Sequence, residues 1–227
     1  MRYEVKLVGS EHDLDRVRAE LRLLSTGLRP LHEPRIVQSI YFDTPEGRAV
    51  EENLAGISNR TKLRLRWYGA ETRSVKAQFE CKQRESGLGS KDMHYLDGEF
   101  EIEGCRRSTL LRELRSRLPK LLASSLDGYE PVQWIRYYRE YMTSRDRSLR
   151  ITLDRQLVAF DQRAAIKLTC RWPTPLPKLL IVEIKAEDYD RDAIERCLQG
   201  VALSPSKCSK FVIASMPEEA PIVSEYC

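Results

Sequence analysis

Five stretches of this chain alternate between apolar and charged residues, and that period of two constrains the fold more than any other feature. Thr61 to Tyr68 sets Lys62, Arg64 and Arg66 against Leu63, Leu65 and Trp67. Val75 to Lys82 sets Lys76, Gln78, Glu80 and Lys82 against Val75, Ala77, Phe79 and Cys81. Glu4 with Lys6, Arg150 with Asp154, and Glu183 with Lys185 repeat the pattern in three further segments. Successive side chains of a strand point to opposite faces, so each stretch is a strand with one apolar and one charged face. Two architectures satisfy this. The charged faces are solvated faces of surface strands, as Lys and Arg usually are, or they line the inside of a closed barrel. Thr and small polar residues would serve a solvated face more cheaply, and the long cations with carboxylates between them favour the barrel. Cations crowded into a low-dielectric tunnel repel one another. A polyanion with closely spaced charges relieves that repulsion, and the interspersed carboxylates suit a divalent metal bridging to phosphate oxygens.

The rest of the chain supplies helices and loops around these strands. Ser10, with Asp13 three residues on, predicts a capped helix from Glu11 to Leu24, with Leu14, Val17, Leu21 and Leu24 as its apolar stripe. Pro30 and Pro34 predict a loop before a strand over 36–42, and Thr44-Pro45 the cap and first residue of a short helix ending before Gly56. Gly87 and Gly89 predict a loop, residues 108–122 a helix interrupted near Pro119, residues 165–171 a strand, and residues 193–198 a helix ending near Gly200. One domain over 1–215 is expected, followed by a tail over 216–227. Trp67 and Trp134 are read as structural.

Several function classes fall away. The longest strongly apolar run, Leu179 to Val182, is far short of the ~20 residues of a membrane-crossing helix. No apolar segment follows Met1 to resemble a signal peptide, and the 6 cysteines show no CxxC spacing, so reduced thiols in a cytoplasm are expected. Only 3 histidines occur, which argues against multi-histidine chemistry. A net charge of +4 and no aromatic RNA-binding motif argue against nucleic acid as partner.

Ser39-Ile40-Tyr41-Phe42-Asp43-Thr44, Leu63-Arg64-Leu65-Arg66-Trp67-Tyr68-Gly69 and Phe79-Glu80-Cys81-Lys82 resemble the VTC domain, the polyphosphate polymerase domain of vacuolar transporter chaperone complexes and its bacterial relatives. Tyr137-Tyr138-Arg139, Arg150 to Asp154, Ile181 to Lys185 and Lys207 to Phe211 continue the resemblance in family order, from Arg2 to about Ser215. It implies a mainly β (α+β) fold of the triphosphate tunnel metalloenzyme, or CYTH-like, kind: a closed eight-stranded antiparallel barrel with peripheral helices. Lys6, Arg64, Arg66, Lys82, Arg139, Arg150 and Lys210 would line the tunnel as the catalytic set. Lys91, Tyr137, Lys207, Ser209 and Lys185 would add contacts to phosphate or nucleotide. Glu183, with Glu4 and Glu80 behind it, would hold Mn²⁺ or Mg²⁺. Arg64, Arg66, Lys82, Arg139 and Arg150 are expected to converge in one cavity.

The triphosphatase branch opens with Glu-x-Glu-x-Lys. Here Arg2 replaces the first Glu, which favours the VTC branch over its thiamine-triphosphatase and adenylate-cyclase relatives. A stand-alone soluble protein of the bacterial kind is expected. The activity implied is ATP-dependent polyphosphate synthesis, with ATP, triphosphate and polyphosphate as ligands. Its rivals are a metal-dependent inorganic or nucleoside triphosphatase, in which Glu80 or Glu183 positions a water, and a polyphosphate-binding module without catalysis.

Overall fold

The computed structural model describes residues 2–85, 88–187 and 191–221. Its strands are β1 (Arg2–Ser10), β2 (Arg29–Asp43), β3 (Arg60–Tyr68), β4 (Ser74–Val75), β5 (Gln78–Glu85), β6 (Leu88–Tyr95), β7 (Phe100–Glu101), β8 (Glu130–Thr143), β9 (Leu149–Asp161), β10 (Leu179–Glu187) and β11 (Ser204–Pro205). Its α-helices are α1 (Leu14–Leu23), α2 (Arg48–Leu54), α3 (Arg107–Arg117), α4 (Lys120–Ser124), α5 (Arg191–Gly200) and α6 (Lys210–Ser215). Nine strands form one antiparallel sheet in the order β11-β1-β10-β9-β8-β2-β3-β5-β6, and β4 pairs with β7 separately.

The sheet is deeply curled. Lys6 of β1 donates to the Cys208 carbonyl at 2.9 Å, and Lys62 of β3 donates to the neighbouring Ser209 hydroxyl at 3.0 Å. Four strands lie between β1 and β3 in the sheet, so only a strong curl lets both reach one dipeptide. The charged faces lie on the concave side and the apolar faces on the convex side. Phe42, Leu63, Leu65, Trp67, Phe79 and Trp134 pack beneath α3 with Leu110 and Leu114, and the two tryptophan rings meet edge-on at 5.5 Å. Leu7, Ile151, Leu153, Val182 and Ile184 pack against Val17 and Leu21 of α1 and Ile194 of α5. A third cluster fills one end of the concave side, where Phe211 and Ile213 of α6 meet Tyr41, Ile135, Tyr137 and Ile181.

The closed eight-stranded barrel is therefore corrected to an open nine-stranded sheet: among the described residues no ladder joins β6 to β1 or β11. The outer edge of β1 is already occupied. Leu7 and Val8 pair with β11, and the Ser206 N–H donates to the Lys6 carbonyl at 2.9 Å, which removes the pairing that closure would use.

Local readings fared unevenly. The Ser10 cap is present: its hydroxyl accepts from the His12 N–H, and Asp13 accepts from the Ser10 N–H. Pro30 and Pro34 lie inside β2 rather than in a loop. The β2–β8 register slips around them, and β3 covers β2 only from Val37, so the prolines sit where one edge needs no donor. Helix α2 begins at Arg48 rather than Pro45; the Asp43 carboxylate accepts from the Ala49 and Val50 N–H groups and holds its first turn. Residues 165–171 form no strand, only a bridge between Lys167 and Arg106, because Gln162 clamps the loop through the Phe160 carbonyl and the Thr169 backbone. Gly87 lies outside the described residues, as do residues 222–227 of the tail, whereas Gly89 lies within β6.

Candidate active site in the cationic channel

Strand register alone assembles the channel. Lys6 lies opposite Glu183 and Glu4 opposite Lys185. Glu183 lies opposite Thr152, and Asp154 opposite Arg139. Further round, Ser39 faces Arg66 and Tyr41 faces Arg64, then Arg64 faces Glu80 and Lys62 faces Lys82, which faces Lys91. All of these follow from the period of two on the concave face.

Two ion clusters form the walls. On β3, β5 and β6, Glu80 accepts from Arg64 Nη2 at 2.6 Å and pairs with Lys91 at 2.9 Å and Arg66 at 3.6 Å. Arg66 also donates to the Ser39 hydroxyl at 3.1 Å and the Tyr137 hydroxyl at 3.2 Å. On the opposite wall, Asp154 takes both Arg139 Nε at 2.5 Å and Lys210 Nζ at 2.6 Å. Glu183 pairs with Lys185 at 2.6 Å and Arg139 at 3.6 Å, and Glu4 lies 3.5 Å from both Lys185 and Lys6. Between the walls Tyr41 stacks on Phe211, with ring centroids 4.9 Å apart, and accepts from Arg64 Nη1 at 3.0 Å.

Cations outnumber carboxylates here. Among the described side chains, Lys6, Lys62, Arg64, Arg66, Lys82, Lys91, Arg139, Lys185 and Lys210 face four carboxylates, Glu4, Glu80, Asp154 and Glu183. Titration shows the imbalance. Burial pushes Glu80 up, but Arg64, Arg66 and Lys91 hold it far below the ordinary carboxylate range. Glu183 is likewise held low against its burial by Lys185, Lys6, Arg139 and Lys210. Burial lowers Lys62 to about 7; Lys6, Arg64 and Lys82 push the same way and Tyr41 opposes them. Burial pushes the Tyr41 phenol up, but Arg64, Arg66 and Lys62 outweigh it and bring it down to about 7. Tyr41 reports unspent positive charge, whereas Lys62 reports its burial first and the neighbouring cations second. Thr152, between Glu183 and Tyr141 in the register, adds a buried hydroxyl with no hydrogen-bond partner.

The residues singled out in the sequence divide by depth. Arg66, Tyr137 and Glu80 are buried, and Arg64, Arg139, Lys210, Lys6, Lys185 and Ser209 are half-buried on the concave side. Lys82, Lys91, Glu4, Arg150 and Lys207 are exposed. The expected convergence of five cations thus holds for Arg64, Arg66 and Arg139 but not fully for the other two. Lys82 lies near enough to the channel for burial and the charges of Glu4, Lys6, Lys185 and Glu183 to act on it. Arg150 ends its ladder opposite Thr143 and emerges at the rim. Glu80 is engaged by Arg64, Arg66, Lys91 and the Gln78 amide, so it has little spare capacity for a metal. Sequence reasoning missed Tyr41, Lys62, Asp154 and Thr152. Lys62 and Asp154 stood in the alternation already noticed; Tyr41 and Thr152 are uncharged and gave no such signal.

The VTC domain family profile matches residues 1–216. No curated protein matches the chain by sequence. A solved structure from Vibrio parahaemolyticus, described as a "putative adenylate cyclase", is similar at 16% identity over 94% of this chain and 98% of that one, with a TM-score of 0.52. The PH1819 protein from Pyrococcus horikoshii OT3 is 15% identical over 96% of this chain and 100% of its own, with a TM-score of 0.46. The first likeness shows the fold, a β-rich antiparallel sheet. Match and fold together establish that the chain belongs to the VTC domain family.

Proposed function

We propose that this protein transfers the γ-phosphoryl group of ATP to the end of a polyphosphate chain. The observation that carries the reading is the excess of cations on the concave face, with three arginines drawn inward and the Tyr41 phenol brought down to about 7 by the cations around it. In the reaction a terminal oxygen of the chain bonds to the γ-phosphorus. The bond from that phosphorus to the β–γ bridging oxygen breaks, and ADP leaves with the electron pair. A terminal phosphate oxygen is already anionic, so no general base is needed. Catalysis is then alignment and charge stabilisation. Arg64, Arg66 and Arg139 supply planar bidentate donors, and Lys6, Lys82 and Lys210 supply point charges.

Mn²⁺ or Mg²⁺ fits the donors present. Glu183 and Glu4 both lie against Lys185 Nζ, at 2.6 and 3.5 Å. A hard cation in place of that ammonium would meet two carboxylates and leave the rest of its shell to phosphate oxygens and water. When bound it would neutralise developing charge on phosphate oxygens. Hydrolysis by the same channel is less well supported, because Glu80, one of the groups that would orient a water, is fully engaged by Arg64, Arg66, Lys91 and the Gln78 amide. The proposed ligands are ATP, triphosphate and polyphosphate rather than nucleic acid, and the proposed location is the cytoplasm. No helix among the described residues is long and apolar enough to cross a membrane. Incubation with ATP and Mn²⁺, read by a polyphosphate gel and a free-phosphate assay, tests the proposal: a ladder supports synthesis, free phosphate alone supports hydrolysis, and neither product supports a binding module.

A further inference from the structure

A second concavity, of about 440 Å³, lies where the α1–β2 connection, the β8–β9 turn and the first turns of α5 meet. Ala193 in its wall belongs to the convex core, so the sheet separates this cleft from the channel. Arg145 and Arg196 both line it, and neither makes an ion pair among the described residues. The Thr26 hydroxyl in the same wall is buried without a hydrogen-bond partner, an arrangement that costs stability unless something fills it. The Arg145 N–H donates to the Thr26 carbonyl at 3.3 Å and fixes the two segments together. Asp146, the one carboxylate among the described lining residues, is spent inside the turn: its Oδ1 accepts from the Ser144 hydroxyl at 2.5 Å, the Ser148 hydroxyl at 3.0 Å and the Ser148 N–H at 3.1 Å.

We propose that this cleft is a second oxyanion site, outside the channel, which takes a phosphate group through the Arg145 and Arg196 guanidiniums and the Thr26 hydroxyl. Two unpaired guanidiniums with a neutral donor suit the fork geometry of phosphate oxygens. The group is either inorganic phosphate or the end of a phosphate chain. The chain-end source is sterically reasonable, since Thr143 and Arg150, the ladder pair next to this turn, bring it close to the channel's rim.

The test is an amide NMR titration of the full chain at constant ionic strength, with inorganic phosphate in one arm and tripolyphosphate in the other. The Thr26, Arg145 and Ser148 amides report on the cleft, and the Ser39 and Thr152 amides report on the channel in the same spectra. The proposal requires saturable shifts of the cleft amides in at least one arm, and a weakening of at least tenfold in the Arg145→Ala, Arg196→Ala double variant, with the channel amides still responding. A response in the phosphate arm identifies the free ion, and a response to tripolyphosphate alone identifies the chain end. Unmoved cleft amides in both arms, or unchanged affinity in the double variant, would overturn it. Both arginines are exposed, so the variant should fold, and silent channel amides would count against the proposed function without touching the cleft.

Discussion

Lys62 and Tyr41 lie diagonally on neighbouring strands, Tyr41 opposite Arg64 and Lys62 two residues before it. Each titrates near 7, against ordinary values of 10.5 and 10.0. From about pH 7 toward those ordinary values, the unfolded chain therefore holds protons that the folded chain has released. The slope of stability with pH is positive wherever the unfolded state binds more protons. This pair should contribute stability that grows between pH 7 and pH 9, measurable as a pH-dependent part of the urea midpoint that Lys62→Met reduces. A polyanion reverses the cause by compensating the crowd of cations, so both groups should regain protons when tripolyphosphate binds at pH 8. Calorimetric binding heats should then depend on the ionisation enthalpy of the buffer, and Lys62→Met should remove a large part of that dependence. Heats that do not vary between buffers would show that the crowding is relieved in some other way.

Two further residues carry distinct predictions. Arg66 is 6% exposed and touches Ser39, Tyr137 and Glu80. Arg66→Ala should weaken tripolyphosphate binding by at least about tenfold, or about 1.4 kcal/mol, with its circular dichroism unchanged, because removing one of several crowded cations relieves repulsion. Glu183→Gln keeps shape and removes charge. It should lower Mn²⁺-dependent turnover by at least about tenfold, a barrier rise of about 1.4 kcal/mol, while tripolyphosphate binding without metal persists. Normal turnover with Mn²⁺ in that variant would pass the metal role to Glu4.

Among the elements, α6 does more than close the chain. Its Phe211, 1% exposed, stacks on Tyr41, and the preceding Cys208-Ser209 backbone and hydroxyl receive Lys6 and Lys62. Phe211→Ala should cost about 3–5 kcal/mol of stability, read from urea unfolding, and should loosen the floor on which Tyr41 rests. This helix, only 6 residues long, was not legible in the sequence, since so short an apolar run carries no helical period. Strand β6 was missed for the opposite reason: residues 89–95 are exposed or half-exposed, with no apolar face to create alternation. The long strands β3, β9 and β10 were legible because each has one face buried under a helix or in the core. The proline-bearing start of β2 was not, because sequence alone does not say which side of a strand lacks a neighbour.

For the molecule as a whole, the sequence showed which residues share a face but not whether the sheet closes. Closure depends on what occupies the outer edge of β1, and that edge is taken by the short β11 and Ser206, segments with no pattern of their own. The alternation therefore located the inner walls of the site, while the rim position of Arg150 was set by where its ladder with β8 ends. The central claim is that this curled sheet is a receptor for a chain of phosphates rather than a charged surface that happens to fold inward. It is tested most directly by comparing the affinities of inorganic phosphate and tripolyphosphate at the channel amides of Ser39 and Thr152, across a series of salt concentrations. The account predicts that tripolyphosphate binds at least about a hundredfold more tightly, a difference of about 2.7 kcal/mol, and that its affinity falls steeply as salt screens the channel. Equal affinities for the two anions, or a tripolyphosphate affinity indifferent to salt, would contradict it.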